Sequence, residues 1–299
     1  MTKPIVSIVL GSYNRRPFLR STLESVRNNG QDFAYEIIVV DGGSSDGSLN
    51  YLTKQKEVIT IIQHNHGEFR GKKIERRSWG YFMNLAFKAA QGKYILMISD
   101  DCLVTPNSIS NGVNYFEELL SQGENIGAMA FYWRNFPEQK EYFIGSFCDR
   151  IFVNHGLYLK SVLEQVNYFN EDDFKFYYAD SDLCLRIIDS GYKIVDSPTS
   201  FVEHYSHANL KQRIKNESHG RVDEEIFLSK WKKLGVPESN CKTLSYIDPN
   251  NTVKKYWKLQ IWIKYILRIL NLFNLNKLLK SSNKNFYNPK TKIINDGKK

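Results

Sequence analysis

The first hundred residues alternate between short apolar runs and segments with helical periodicity. Continuous runs rich in β-branched residues predict buried strands at 5–13, at the start of 35–48, at 58–65 and at 93–101. Between them, apolar residues three or four positions apart predict helices in the segments 16–29, 49–56 and 80–92. Such strand–helix repeats with apolar strands indicate a parallel sheet covered on both faces, so we expect an α/β fold.

Polar residues gather where these predicted strands end, which is where parallel sheets bind ligands. Tyr13, Asp41 and the adjacent carboxylates Asp100 and Asp101 all fall at such ends. Neighbouring like charges repel unless a cation lies between them, and carboxylate oxygens suit Mg²⁺ or Mn²⁺. Simpler interpretations stay open, because Asp41 lies in a turn-rich loop and Asp100 could cap the next helix.

Four ordered segments carry a resemblance to a known family. They read VSIVLGSYNRRPFLRSTLESV, YEIIVVDGGSSDGS, GKYILMISDDC and, from residue 159 to 208, LKSVLEQVNYFNEDDFKFYYADSDLCLRIIDSGYKIVDSPTSFVEHYSHA. Together they resemble family 2 glycosyltransferases over about residues 4 to 208. The resemblance implies the GT-A fold, which is Rossmann-like with a mostly parallel sheet flanked by helices. It divides the catalytic domain, 1–240, into a nucleotide-sugar half at 1–112 and an acceptor half at 113–210.

The resemblance also implies a reaction and roles for individual residues. The reaction is an inverting transfer of a sugar from a nucleotide diphospho-sugar to a saccharide acceptor, with Mn²⁺ or Mg²⁺ as cofactor. Residues at donor-binding positions are Ser12, Tyr13, Asn14, Asp41, Asn84 and Asp100. Asp101 matches the main metal ligand, His204 matches a histidine that completes the coordination in some members, and Asp180 matches the general base. Asp182, two positions later, is the alternative to Asp180.

Four positions depart from the family pattern. Gly42 and Gly43 stand where a carboxylate and its neighbour are usual, and Ala179 replaces the Glu before Asp180. An Arg is usual just before Asn84, but this chain has Met there, which leaves Arg76 or Arg77 to contact the phosphate or base. These departures affect the expected nucleotide more than the expected reaction.

Two other classes of protein remain compatible with the pattern. A nucleotidyltransferase can share the scaffold, but it would carry a Gly-rich, basic phosphate loop near the N-terminus, of which GSYNRRP is a poor version. A non-catalytic nucleotide-sugar-binding protein would keep Asp41 and Asp101 and tolerate loss of the base. The presence of Asp180 favours the enzyme.

The charge distribution separates the body of the chain from its C-terminal end. From Lys254 onward there are twelve Lys and Arg residues against Asp296 alone, a charge of +11, so the remainder of the +9 chain carries −2. A body without a basic footprint argues against nucleic acid as a partner.

The C-terminal segment, taken as 241–299, contains a stretch at 256–281 with a narrow polar stripe among apolar residues. This pattern predicts an amphipathic helix, which either packs on the body or lies on an anionic membrane surface. The four scattered cysteines suit a reducing cytosol, and the N-terminal sequence has no pattern of a signal peptide. We therefore expect a cytoplasmic enzyme held peripherally on the cytoplasmic membrane face, with a lipid-linked saccharide among its possible acceptors.

Overall fold

The computed structural model describes residues 3–136, 139, 141–147, 150–205, 210–232 and 241–247. Its helices are α1 (Arg16–Arg27), α2 (Ser48–Leu52), α3 (Trp79–Ala89), α4 (Ser108–Ser121), α5 (Lys160–Gln165), α6 (Ala179–Asp189) and α7 (Leu210–Trp231). Its strands are β1 (Val6–Ser12), β2 (Tyr35–Asp41), β3 (Val58–Ile62), β4 (Glu68–Phe69), β5 (Lys72–Lys73), β6 (Tyr94–Met97), β7 (Cys102–Val104), β8 (Ile126–Asn135), β9 (Glu141–Phe147), β10 (Arg150–Ile151), β11 (Gly156–Leu159), β12 (Lys193–His204) and β13 (Cys241–Ile247).

The N-terminal half of the main sheet is parallel, in the order β3-β2-β1-β6. The register places Ser12 beside Asp41 and Val9 beside Met97, so the carboxyl ends of β1, β2 and β6 open at one edge. This confirms the α/β fold and the parallel strands that the apolar runs predict. A separate hairpin of β4 and β5 lies between β3 and α3.

The C-terminal half of the sheet continues mainly with antiparallel pairs. Strand β11 runs antiparallel to both β6 and β8, and β9 pairs antiparallel with β8, β10 and β13. Strand β12 runs parallel to β8 and antiparallel to β7, with His204 opposite Cys102. The second half of the chain therefore returns to the edge where β6 ends, which brings its polar residues to the same place.

Two hydrophobic cores cover the two faces of the sheet. On one face α1 and α4 pack on the strands through buried residues such as Leu19, Leu23 and Phe116. On the other face α3, α5, α6 and α7 pack through residues such as Phe87 and Leu183. A sheet covered on both faces leaves its strand ends as the natural place for a site.

The helix starts agree with the sequence at one position and disagree at another. Pro17 lies in the first turn of α1, where its missing N–H is not needed. Helix α4 begins at Ser108 with Asn107 as its N-cap, so the alternative in which Asp100 caps this helix is wrong. Asp100 precedes the short strand β7 and is free to serve the strand-end site instead.

The described part of the C-terminal segment differs from the predicted boundary. Residues 241–247, assigned from the sequence to the tail, form β13 and pair along the whole length of β9. The helix predicted at 256–281 lies outside the described residues. Among the residues that are described, no helix is both long and apolar enough to cross a membrane.

Candidate active site

Asp100 and Asp101 lie in the turn between β6 and β7, at the edge where the parallel strands end. Their side chains are almost fully buried, with 3% and 5% of the residue surface exposed. Two adjacent buried carboxylates are unfavourable without compensating cations or donors. The groups around them are therefore the first indication of what the site can bind.

Arg15, in the loop after β1, contacts both carboxylates with one nitrogen. Its Nη1 donates to Asp100 Oδ1 at 2.9 Å and to Asp101 Oδ2 at 2.8 Å. Burial, together with the negative charge of Asp101, raises the pKa of Asp100 to about 6 against the opposing effect of Arg15. For Asp101, burial alone would raise the pKa, but the neighbouring His204 and the charge of Arg15 outweigh it, so the pKa is lowered. One guanidinium thus offsets half of the charge of the pair.

The other oxygen of each carboxylate has no hydrogen-bond partner although it is buried. These atoms are Asp100 Oδ2 and Asp101 Oδ1, and the second lies 3.4 Å from His204 Nε2. Two carboxylate oxygens without partners are ligands that Mg²⁺ and Mn²⁺ prefer, and an imidazole nitrogen beside them suits the softer transition-metal ion Mn²⁺ better than Mg²⁺. The residues present therefore fit a divalent cation, with Asp101 and His204 brought together as the sequence predicts.

The side chains of Cys102 and His155 lie next to this cluster. Cys102 offers a sulfur whose distances to ligand atoms of Asp101 and His204 are within 4.8 Å. Its Sγ also lies 3.7 Å from His155 Nε2. Burial, with the charge of Asp101, raises the pKa of the Cys102 thiol, and burial lowers the pKa of His155 to about 3. At neutral pH both groups are uncharged, so the negative charge of the site belongs to the two aspartates.

Asp180 lies in the first turn of α6, which begins at Ala179. Asn154 Nδ2 donates to its Oδ2 at 3.2 Å, and the Ser181 backbone N–H donates to its Oδ1 at 2.8 Å. Burial raises the pKa of Asp180. Because His155 follows Asn154 and contacts Cys102, this dipeptide connects the predicted base with the turn that carries the carboxylate pair.

Asp182, the alternative base, has a different environment. It is fully buried and accepts from Arg186 Nε at 2.8 Å, from Trp231 Nε1 at 3.1 Å and from Lys230 Nζ at 3.0 Å. A carboxylate with three such partners and no exposed surface is fully occupied by the protein itself. This geometry favours Asp180 over Asp182 for contact with a substrate.

The loop after β1 lies against the loops after β2 and β3. Tyr13 stacks on His66, with ring centroids 4.1 Å apart. Asn14 accepts from the Ser45 backbone N–H through Oδ1 at 2.8 Å and donates its own N–H to Ser44 Oγ at 2.9 Å. Ser12, beside Asp100, is 4% exposed and its Oγ has no hydrogen-bond partner. These contacts form one wall of polar and aromatic groups next to the carboxylate pair.

Asp41 organises the loop that follows β2. Its Oδ1 accepts from the backbone N–H groups of Gly43 and Ser44 at 2.9 and 2.7 Å, and its Oδ2 accepts from Ser44 Oγ at 2.8 Å. Asp41 has no exposed surface. The predicted contact with a nucleotide base would require this loop to open, so the structure supports the simpler interpretation, in which Asp41 stabilises a turn.

Asn84 is also occupied by the protein itself. Its Nδ2 donates to the carbonyl of Phe169 at 2.9 Å and to Glu171 Oε1 at 2.7 Å, while its Oδ1 accepts from the Phe169 N–H at 3.0 Å. Only 2% of its surface is exposed. We therefore assign Asn84 to the packing of α3 against residues 169–171, because both amide atoms are used there. Arg76 is half-buried on the segment before α3, and burial lowers its pKa.

Two residues that the sequence pattern does not single out, Arg15 and Asn154, contact the predicted residues directly. A signal for Arg15 exists, because it follows β1, and β1 and β6 are adjacent parallel strands whose ends must meet. No comparable signal marks Asn154, which precedes β11 and reaches Asp180 only through the antiparallel return of the chain.

Comparisons with known proteins agree with this geometry. Residues 7–182 match the family model described as glycosyl transferase family 2, which is more than half of the chain. An uncharacterized glycosyltransferase, MJ1057 of Methanocaldococcus jannaschii, is 27% identical over 275 residues, covering 86% of this chain and 81% of that protein. The dolichyl N-acetyl-alpha-D-glucosaminyl phosphate 3-beta-D-2,3-diacetamido-2,3-dideoxy-beta-D-glucuronosyltransferase of Methanococcus voltae is 21% identical, covering 70% of each chain.

A solved structure shows a similar fold. It is the mannosyltransferase PcManGT from Pyrobaculum calidifontis in complex with GDP-Man and Mn²⁺, with a TM-score of 0.54 and 17% identity. The likeness covers 75% of this chain and 64% of that one. At this identity the likeness identifies the arrangement of the sheet and helices as the GT-A fold.

Proposed function

The chain is a glycosyltransferase that belongs to family 2, and we propose that it transfers one sugar from a nucleotide diphospho-sugar to a saccharide hydroxyl with inversion of configuration. The proposal places donor binding on the polar wall formed by residues 12–15 and on the turn at Asp100 and Asp101. It places the reacting end of the acceptor beside Asp180. The two proposed halves, 1–112 and 113–210, then meet at the edge where β6 ends.

The carboxylate pair is the observation that carries the proposal. Asp100 and Asp101 are buried, each has one oxygen without a partner, and His204 lies against one of those oxygens. Asp101 and His204 would hold Mn²⁺ or Mg²⁺, with Asp100 next to them. Such an ion supplies Lewis-acid stabilisation of the departing nucleoside diphosphate.

The chain's own residues supply positioning and proton transfer. Arg15 holds both carboxylates in place and adds positive charge beside the expected diphosphate. Asp180 accepts the proton of the acceptor hydroxyl as that oxygen attacks the sugar, and Asn154 fixes the orientation of its carboxylate. The raised pKa of Asp180 makes it a stronger base. A single displacement needs only one such base, which agrees with inversion.

The acceptor that we propose is a lipid-linked saccharide, in the assembly of a surface glycan such as a capsule or O-antigen. The Methanococcus voltae relative supports this, because its name specifies a dolichyl-phosphate-linked sugar as its acceptor. The +11 charge beyond residue 253 supports a peripheral position on the cytoplasmic face of a membrane, since anionic lipids attract such segments. The near-neutral body gives no footprint for nucleic acid.

Calorimetry on two variants tests the assignment. The nucleotide is chosen first, from a thermal-shift panel of nucleoside diphosphates with Mn²⁺. We expect Asp101→Asn to abolish the Mn²⁺-dependent part of nucleotide binding, whereas the exposed control Asp172→Asn keeps it. Unchanged Mn²⁺ dependence in Asp101→Asn would remove the metal from this site.

The second variant, Asp180→Asn, separates binding from chemistry. It should leave nucleotide affinity within about twofold and lower turnover by at least about 10², as expected for the loss of a general base. Turnover like that of the wild type would exclude Asp180 as the base. Binding without turnover in the wild-type protein would instead indicate a non-catalytic binding protein.

A further inference from the structure

Helix α7 lies beyond the part of the chain that matches the family model, yet one of its carboxylates holds the segment that leads to Asp180. Asp223 is fully buried. Its Oδ1 accepts from the Lys175 backbone N–H at 2.9 Å, and its Oδ2 accepts from the N–H groups of Phe176 and Tyr177 at 2.9 and 2.8 Å. Three backbone donors converging on one anion are a strong anchor for a loop.

The next residue, Tyr178, is the N-cap of α6 and has a left-handed backbone with φ of +63°. A tyrosine adopts this conformation only where its surroundings hold it. Helix α7 supplies contacts that do so, since the Tyr178 hydroxyl donates to Glu224 Oε1 at 2.9 Å and its ring stacks on Phe227 at 5.0 Å. The loop and the strained cap are thus fixed by the same helix.

A third contact lies on the other side of Asp180. The buried carboxylate of Asp182 accepts from Trp231 Nε1 and Lys230 Nζ, both at the end of α7. The residues of α7 that make these contacts recur at helical spacing, at 223, 224, 227, 230 and 231, which places them on one face. Helix α7 therefore contacts the chain on both sides of Asp180, at residues 175–178 before it and at Asp182 after it.

We propose that α7 sets the position of the catalytic base, with Asp223 as the principal positioning residue. The inference rests on the proposed role of Asp180. Asp223→Asn keeps one acceptor oxygen but places an NH₂ donor against the remaining backbone N–H groups, so the segment 175–177 would lose part of its anchor and the strained cap at Tyr178 would relax. Asp180 would then leave its working position, and a displacement of about 1 Å can lower turnover about 10²-fold.

Asp223→Asn tests this, with Glu225→Gln as the matched control on the same helix, because Glu225 is exposed and pairs with Arg221. Hydrogen exchange measures the loop directly, and it needs no ligand. We expect the amides of residues 175–177 to exchange at least tenfold faster in Asp223→Asn, while amides of β1 keep their wild-type rates. The control should match the wild type throughout.

Kinetics then separate positioning from loss of folded protein. Asp223→Asn should lower kcat at least tenfold and leave the donor KM within about twofold, using the nucleotide sugar identified by the binding screen. A Mn²⁺ titration followed by electron paramagnetic resonance should count the same number of sites per chain as in the wild type. A variant that had merely unfolded would lose sites in proportion to activity.

The inference is overturned if exchange at 175–177 is unchanged, or if kcat falls only as far as the number of Mn²⁺ sites falls. If Asp223→Asn does not fold, Tyr178→Phe decides, because it removes only the hydroxyl bound by Glu224. It should speed exchange around residue 178 and lower kcat about two- to threefold, and unchanged exchange there would overturn the inference. Failure of the base assignment itself appears separately, as wild-type turnover in Asp180→Asn.

Discussion

Replacing Arg15 by Gln should destabilise the protein strongly when no metal is present. Arg15 Nη1 lies 2.9 and 2.8 Å from two carboxylates that are almost fully buried. At an effective dielectric constant of about 20, each contact is worth about 6 kcal/mol before desolvation is subtracted. Removing one partner of such a buried group costs about 3–5 kcal/mol, because the remaining charges are left uncompensated.

The assays are unfolding by guanidinium chloride and thermal unfolding, both in EDTA at pH 7.5. We expect the free energy of unfolding to fall by about 3–5 kcal/mol and Tm to fall by about 6–10 °C, while the exposed neighbour in Arg16→Gln leaves both unchanged. Mn²⁺ should restore most of the loss, because it takes over the neutralisation of the pair. The variant should also bind Mn²⁺ at least tenfold more tightly, since charges of +1 and +2 about 5 Å apart repel by about 1.7 kcal/mol even in water.

The same variant has a defined pH dependence. The pKa of Asp100 is raised to about 6 by burial and by Asp101, so the folded state binds this proton more tightly than the unfolded state. Its contribution to stability is therefore present below about pH 4 and is lost as pH rises through 6. In Arg15→Gln the destabilisation should be smaller at pH 5 than at pH 7.5, because a protonated Asp100 leaves one charge instead of two. An equal loss at both pH values, no loss at all, or weaker Mn²⁺ binding would refute the reasoning.

Three further expectations follow from the site. Because burial raises the pKa of Asp180, the acid limb of the kcat profile should lie above the usual range for Asp, and Asp180→Asn should lack this limb in a pH–rate measurement. Cys102→Ala should change the Mn²⁺ affinity measured by calorimetry less than about twofold, because burial holds the pKa of the Cys102 thiol well above its usual value and keeps the sulfur protonated. A tenfold loss of affinity would make Cys102 a ligand. Gly43→Ala should lower the free energy of unfolding by more than the about 1–2 kcal/mol that a left-handed backbone costs, because the new Cβ would lie 2.4 Å from His64 Nδ1. The control Gly67→Ala, with φ of +90° and no atom within 4 Å, measures the backbone cost alone, so equal losses in both variants would exclude the clash.

The parallel half of the sheet could be predicted because its strands are buried on both faces. Their apolar runs are unbroken, as in β2, where the last five residues are all buried. The antiparallel half gives no such pattern. Strand β12 contains Pro198 and two shifts of register, and β13 joins the sheet only by pairing with β9 about a hundred residues earlier. Pairings of that kind depend on tertiary structure, which is why 241–247 was assigned to the tail.

The candidate site was predictable where a residue's place depends on a strand end. Asp101 and His204 meet because β7 and β12 pair in the register that sets Cys102 opposite His204. Asp41 and Asn84 lie where the resemblance puts them, but their hydrogen bonds go to the protein. The position of such a residue along the chain indicates that it lies near the site. The direction of its side chain depends on which backbone donors and acceptors surround it. The sequence shows the first of these and not the second.

The charges of the site explain why metal and donor binding should depend on each other. Two ionised aspartates and Arg15 leave a charge of −1 within the carboxylate pair. A divalent cation changes this to +1, which a buried site does not tolerate without an anion. The diphosphate of a nucleotide sugar is such an anion, because with the cation it returns the site to about −1, whereas a donor without the cation would leave about −3. Arg15 is what sets this balance, since without it the two aspartates would neutralise the cation by themselves. A site without the arginine would therefore bind the cation tightly in the absence of a nucleotide. With the arginine present, the cation binds strongly only together with the nucleotide-sugar donor.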